Sequence, residues 1–235
     1  MIVNKKPFVI GLLLSLGFAA VLCILFTPSF GEGRNAFAAS DRLFNSIAKG
    51  SSHYANELRD KASQEGPMPI EVDIVLKDDD TALKAEAILR GAGASVVRSG
   101  CDLKVSGSLT AIAGDALVDS EAMFRNDGAA VRARHAMPER EAMFVWWTSL
   151  KEIQKALKFQ GKGREVAFVE EVQLKGVEVG YNFYGIDARK ASANVGILAF
   201  ALLFYLLYTI WWGYAILNLF DGVGLQMKKT AKKEV

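Results

Sequence analysis

The chain has 235 residues, 51% of them hydrophobic, and a formal net charge of +2. A balance this close to neutral says little about partners, and two cysteines exclude a disulfide framework. The averages conceal a mosaic in which two long uncharged stretches flank a polar middle.

Lys5 and Lys6 precede the first stretch, PFVIGLLLSLGFAAVLCILFTPSFG, residues 7–31. It exceeds the ~20 apolar residues that cross a hydrocarbon core of roughly 30 Å and reads as a transmembrane helix. A small-x-small pattern at Ala36 and Ala38 lies too far past the apolar run to be a secretory cleavage site. Cys23 follows Leu22 instead of the small residue a lipoprotein site needs, so the span reads as an uncleaved anchor. Short basic flanks stay on the cytoplasmic side, which places residues 1–6 inside.

Residues 32–68 read as a helical connector. Phe37, Leu43, Phe44 and Ile47 form one stripe, Gly50 interrupts it, Ser51 or Ser52 caps a second piece carrying Tyr54 and Leu58, and EGPMP closes it. An extracytoplasmic α/β domain is expected over residues 69–190. In IEVDIVL, Ile70, Val72, Ile74 and Leu76 alternate as a strand does. Asp80 suits the N-cap of a helix through Leu83, Ala87 and Ile88 that stops at Gly91 and Gly93. Two short strands meet near Ser99 and Gly100. An alanine-rich helix follows, then GAAVRARHA as a further strand. That order, β-α-β-β-α-β, is the ferredoxin-like pattern.

Pro138, Glu139 and Glu141 then open an amphipathic helix with Met143, Trp147, Leu150, Ile153 and Leu157 along one side. Residues 164–186 alternate as a β-hairpin, with Val166, Phe168, Val172 and Leu174 on one strand and Val177, Val179, Tyr181 and Phe183 on the other. The fold class is therefore α+β, an α/β domain held between N- and C-terminal spans. The second span is expected over residues 191–214, with Trp211 and Trp212 as its inner aromatic belt; the other reading keeps one long helix through Phe220 with its tyrosines turned toward another protein helix. Residues 215–235 then form a juxtamembrane arm whose Lys228, Lys229, Lys232 and Lys233 keep it cytoplasmic.

Chemistry-bearing residues are sparse. His53 and His135 stand far apart, without ligand spacing or a CxxCH motif, so neither a metal nor a heme is expected. No nucleophile elbow or phosphate-binding glycine loop stands out. ALKAEAILRGAG followed by SGC resembles part of a small sulfur- or selenium-carrier family. The resemblance covers only about thirty residues, a strand and an ALKAE-type helix ahead of the cysteine turn. It implies Cys101 as the carrier thiol; independently of the resemblance, a thiol on this turn can be activated by nearby cations such as Arg98 or Lys104.

Aromatic residues carry the stronger signal. Trp146 and Trp147 point about 100° apart on a helix, so one of them is expected to meet another surface. Tyr205, Tyr208, Thr209 and Trp212 share a face of the second span, a polar stripe more typical of protein contact than of lipid. The terminal tails are too short for a kinase, cyclase or nucleotide-binding output. The expectation is a non-catalytic accessory or assembly subunit of a bacterial membrane complex. It would sit two-pass in the inner membrane with both termini cytoplasmic. Its partners would be other integral membrane subunits or further copies of itself, with the bilayer around them; no cofactor and no nucleic acid are implied. The alternative is an anchored binding or carrier module for a small anion or sulfur species at Cys101.

Overall fold

The computed structural model describes residues 2–225, so the Lys228–Lys233 cluster lies outside the described residues. The chain is a mixed α+β protein, mostly helical, and divides into two compact units: residues 1–47 with 189–235, and residues 48–188.

The first unit is a helical hairpin with an amphipathic helix beside it. Helix α1 (Lys5–Phe26, 22 residues) is apolar on every side, and its length of ~33 Å suits a bilayer core. Helix α2 (Ala36–Lys49) begins where the Asn35 side chain accepts the Ala38 backbone N–H, and only its last residues belong to the second unit. A short 3-10 turn over Ala191–Asn194 leads into helix α10 (Val195–Gly222, 28 residues), also apolar enough to cross a membrane.

Helices α1 and α10 pack antiparallel. Glycine sets their separation: a Cβ on Gly11 would lie 2.7 Å from the Leu219 nitrogen and 2.9 Å from the Ala215 oxygen, and one on Gly222 would meet the backbone of Phe8. Such small-residue contacts let membrane helices approach closely. At the hairpin's open end, the Val3 and Asn4 backbone N–H groups donate to the Gly222 carbonyl, and the Asn4 side chain donates to that of Asp221.

This register changes the reading of the second span. The helix does not end at Trp212 or Tyr214 but runs unbroken to Gly222. Trp211 lies beside Leu14, halfway along α1, and its Nε1–H donates to the Leu14 carbonyl at 3.1 Å. A membrane edge at Trp212 would leave the first half of α1 outside the bilayer. The expected interfacial arm from residue 215 is instead the last two turns of α10, packed on the first turns of α1.

The second unit starts at Ala48, so part of the expected connector belongs to it: Ala55, Leu58 and Ala62 of helix α3 (Ala55–Glu65) are buried. Strand β1 (Pro69–Val75) alternates exposed and buried side chains as its sequence requires. Helix α4 (Asp79–Gly91) is capped by Asp78, not Asp80. The Asp78 carboxylate accepts the Thr81 N–H at 2.8 Å, leaving Asp79 and Asp80 in the first turn. Strands β2 (Ser95–Ser99) and β3 (Asp102–Ser108) join through a two-residue turn, Gly100-Cys101, with Gly100 at φ +61°. All pairing is antiparallel and the order is β1-β3-β2, with Val72 opposite Val105 and Val96 opposite Val105 on the other side.

The sheet stops at three strands, and the ferredoxin-like pattern is not completed. After helix α5 (Leu109–Phe124), residues expected as the fourth strand form helix α6 (Gly128–His135). Asp127 caps it by accepting the Ala130 N–H, and Ala136 ends it in the left-handed region at φ +52°. Helix α7 (Glu139–Phe159) follows as expected, and its Gln160 C-cap side chain donates to the Glu71 carbonyl of edge strand β1.

The expected hairpin is also helical. Helix α8 (Gly163–Val172), a π turn (Gln173–Val177) and helix α9 (Glu178–Phe183) form one continuous rod. The alternating apolar residues also carry a helical stripe, and here the stripe wins: Phe168, Val169, Val172, Gly176, Val177 and Gly180 are buried. Gly176 and Gly180 bring the rod against α5. A Cβ on Gly180 would fall 2.6 Å from the Ser120 carbonyl oxygen, and the Ser120 hydroxyl donates to the Gly176 carbonyl. A β-strand would present those two glycines on one face without that helix-to-helix contact.

Candidate docking site

The core of the second unit is closed around α5 and α7. Leu109, Ile112, Leu117, Met123, Leu150, Ile153 and Leu157 are inaccessible to solvent. Trp146 joins them and is the centre of the α7 stripe, a place the sequence pattern gave to Trp147. Its indole N–H donates at 2.7 Å to Asp119, a fully buried carboxylate that also accepts from Arg134 and His135. A buried carboxylate needs partners of this kind, and Asp119 has three.

Trp147 lies at the rim. It stacks on Phe144 at a centroid distance of 6.4 Å, and its Nε1–H donates to Glu178 at 2.9 Å. The Lys151 ammonium stands 4.7 Å from the Trp147 ring centroid, and the Arg140 guanidinium 5.2 Å from that of Tyr181. Met143, Phe144, Trp147, Val177, Glu178 and Tyr181 line a groove of about 280 Å³. Phe144 is 53% exposed, and Leu174, one turn before Glu178, is 54% exposed.

The π turn builds this groove. It inserts one residue into the helical repeat, so Val172 and Val177 both turn inward while Glu178 and Tyr181 come round to the Trp147 side. Gln173, buried in that turn, donates to the Trp147 carbonyl at 3.1 Å and ties the two helices together. The hairpin reading hides this, because it assigns Tyr181 to a strand face. Helical spacing of Glu178 and Tyr181, matched against Phe144 and Trp147, is the signal that finds it.

Beside the groove, Glu139 anchors the start of α7. Its carboxyl is held down at about 2, chiefly by the Arg132 guanidinium, then by its own backbone N–H and the Tyr184 hydroxyl. The same contact with Glu139 raises the Tyr184 phenol above its ordinary value.

The sequence-marked thiol is elsewhere. Cys101 is half-buried on the β2–β3 turn. Arg98 is close in sequence, but its guanidinium is taken up by Glu86 at 2.9 Å and Asp79 at 2.7 Å. Lys104, the other nearby cation, pairs with Glu71 at 2.8 Å. Among the described residues, no group of three or more His, Cys, Asp or Glu is placed to hold a metal ion.

In the first unit the aromatic stripe of α10 divides. Tyr208, Trp211 and Trp212 surround Phe18 of α1, with Trp212 nearest at a centroid distance of 4.6 Å. Tyr205 and Thr209 face away. Tyr205 is 60% exposed, and the Thr209 hydroxyl returns to the Tyr205 carbonyl of its own helix. Among the described residues the Tyr205 hydroxyl has no hydrogen-bond partner.

Comparison of the chain with protein-family models, with curated proteins and with solved structures finds no match.

Proposed function

We propose that the chain is a non-catalytic accessory or assembly subunit of a larger bacterial membrane complex, held two-pass in the inner membrane, with residues 48–188 outside the cytoplasm. The observation that carries this reading is the Phe144–Trp147–Tyr181 groove. The unit has a closed core, yet it leaves Phe144, Tyr181 and Leu174 exposed, with Trp147 half-buried between the two rings. Exposed aromatic clusters of this kind are typical of protein contacts. Tyr205 adds a second support, since a hydroxyl on a spanning helix usually faces another protein helix.

Topology supports it as well. The antiparallel pairing brings Lys5 and Lys6 to the same end as Gly222, after which Lys228, Lys229, Lys232 and Lys233 follow. Two basic flanks at one end favour cytoplasmic tails. The carrier alternative has less behind it, because both cations near Cys101 are already neutralised by carboxylates.

The test is purification of the full chain from its native membrane in mild detergent, with Phe144→Ser and Tyr181→Ser variants alongside. The expected result is a stoichiometric partner subunit, or a defined homo-oligomer, that both variants lose while their near-ultraviolet circular dichroism is retained. A monodisperse monomer without a partner overturns the proposal.

A further inference from the structure

Within the first unit, α2 folds back where α1 stops. Helix α10 extends past the last turn of α1 by about a turn and a half, judged from the pairing of Gly11 with Ala215 and of Leu14 with Trp211. Between these three helices lies a groove of about 620 Å³, within the usual range of small-molecule pockets. Its walls are apolar, formed by Leu25, Phe37, Phe44, Ile197, Phe200 and Phe204. Its mouth is charged, with Arg34, Arg42 and Arg189 against a single carboxylate, Glu32.

That charge is unbalanced in a particular way. One oxygen of Glu32 accepts from both Arg34 and Arg42, so one negative charge serves two cations. Arg189 makes no ion pair among the described residues, while its backbone N–H donates to the Ser46 carbonyl at 2.8 Å and fixes it at the mouth. An apolar slot on two helices of spanning length, opening under an amphipathic helix and an uncompensated arginine, has the two-part chemistry of a membrane lipid: hydrocarbon below, anion above. A zwitterionic headgroup would leave the positive excess unmatched, and a soluble anion would leave the apolar walls unused.

We propose that this groove binds one anionic phospholipid of the surrounding bilayer, its phosphate held by Arg189 and Arg42 and one acyl chain lying along Phe200 and Phe204. The site belongs to the first unit and stands independently of the docking groove.

The experiment is native mass spectrometry of the full chain, released from nanodiscs of equal parts phosphatidylglycerol and phosphatidylcholine. The wild type is expected to retain a single phosphatidylglycerol in preference to phosphatidylcholine. Arg189→Gln lowers that preference about fivefold, and Arg189→Lys restores most of it. Ala201→Trp, which fills the groove from its α10 wall, removes retention of both lipids. Circular dichroism of each variant establishes that it is folded. Equal retention of the two lipids by the wild type, an unchanged preference in Arg189→Gln, or undiminished retention in Ala201→Trp would each overturn the proposal.

Discussion

Replacing Asp119 by alanine removes the acceptor on which three donors of the second unit converge. The Trp146 indole N–H, bound at 2.7 Å, is fully buried, and Asp119 is its hydrogen-bond partner among the described residues. His135, whose side chain is 8% exposed, loses its carboxylate as well. Arg134 is less affected, since its second nitrogen keeps Asp115 at 2.6 Å and its side chain is partly in water. Breaking a buried charged network by removing one partner costs about 3–5 kcal/mol. The low end applies here, because Arg134 retains Asp115. For a unit of this size each kcal/mol moves the melting temperature by roughly 3–4 °C, so Asp119→Ala melts about 10 °C below the wild type. Asp119→Asn keeps the shape and one acceptor oxygen, and melts between the two. The measurement is tryptophan-fluorescence melting of the full chain in detergent, with red-shifted Trp146 emission as the local signature. A shift smaller than about 3 °C for Asp119→Ala, which is less than one lost hydrogen bond, would refute the assignment of Asp119 as the organising group of this core.

Two further outcomes follow from the geometry. Glu139 has its carboxyl lowered from 4.5 to about 2 in the folded chain by Arg132, its backbone N–H and Tyr184. A depressed carboxylate contributes stability that is present above its unfolded value and lost as pH falls through the folded one. The stability difference between wild type and Glu139→Gln is therefore constant above about pH 5 and closes between about pH 4.5 and pH 2; a difference undiminished at pH 2, in urea titrations across that range, contradicts the pairing. In the hairpin, Gly11→Leu forces α1 away from backbone atoms of Ala215 and Leu219 that a Cβ would approach to within 2.9 Å. Overpacking of this kind costs about 1–3 kcal/mol. Oxidative cross-linking of Val3→Cys to Gly224→Cys, in a Cys23→Ala background, then falls at least about fivefold in membranes. Unchanged cross-linking would show that the helices are not held by glycine contact.

Much of the fold was legible because its signals were local. Strand β1 was visible in the alternation of Ile70, Val72 and Ile74, and α7 in Pro138, Glu139 and the stripe from Met143 to Leu157. The failures have a common physical source. Residues 164–183 satisfy both a period of two and a period near 3.6, and only tertiary contact separates them: Gly176 and Gly180 must be one helical turn apart to lie against Ser120 and Leu117. Residues 128–135 form α6 and not a strand: Asp127 caps them, and their buried residues, Gly128 and Val131, stand three apart as on one helical face. The Phe144–Trp147–Tyr181 groove was half legible. Trp147 was marked from the sequence, but Glu178 and Tyr181 reach it only through a π turn that no spacing rule announces.

Read alone, α10 is longer than a bilayer core requires, and its tryptophans suggest an interface. Read against α1, Trp211 and Trp212 fall at the middle of the shorter helix, because Phe8 meets Gly222 and Leu14 meets Trp211. Trp211 is at ease there, since its one polar group is bound to a carbonyl of the neighbouring helix. The excess length of α10 must then emerge at the opposite end, beside α2, Arg189 and the apolar groove. That same register leaves Tyr205 and Thr209 turned away from α1 near the middle of α10. Thr209 satisfies itself on its own helix, and Tyr205 does not. Among the described residues two helices are apolar enough to cross a membrane, and neither offers the Tyr205 hydroxyl an acceptor, so in the proposed assembly it is the group a partner helix would bind.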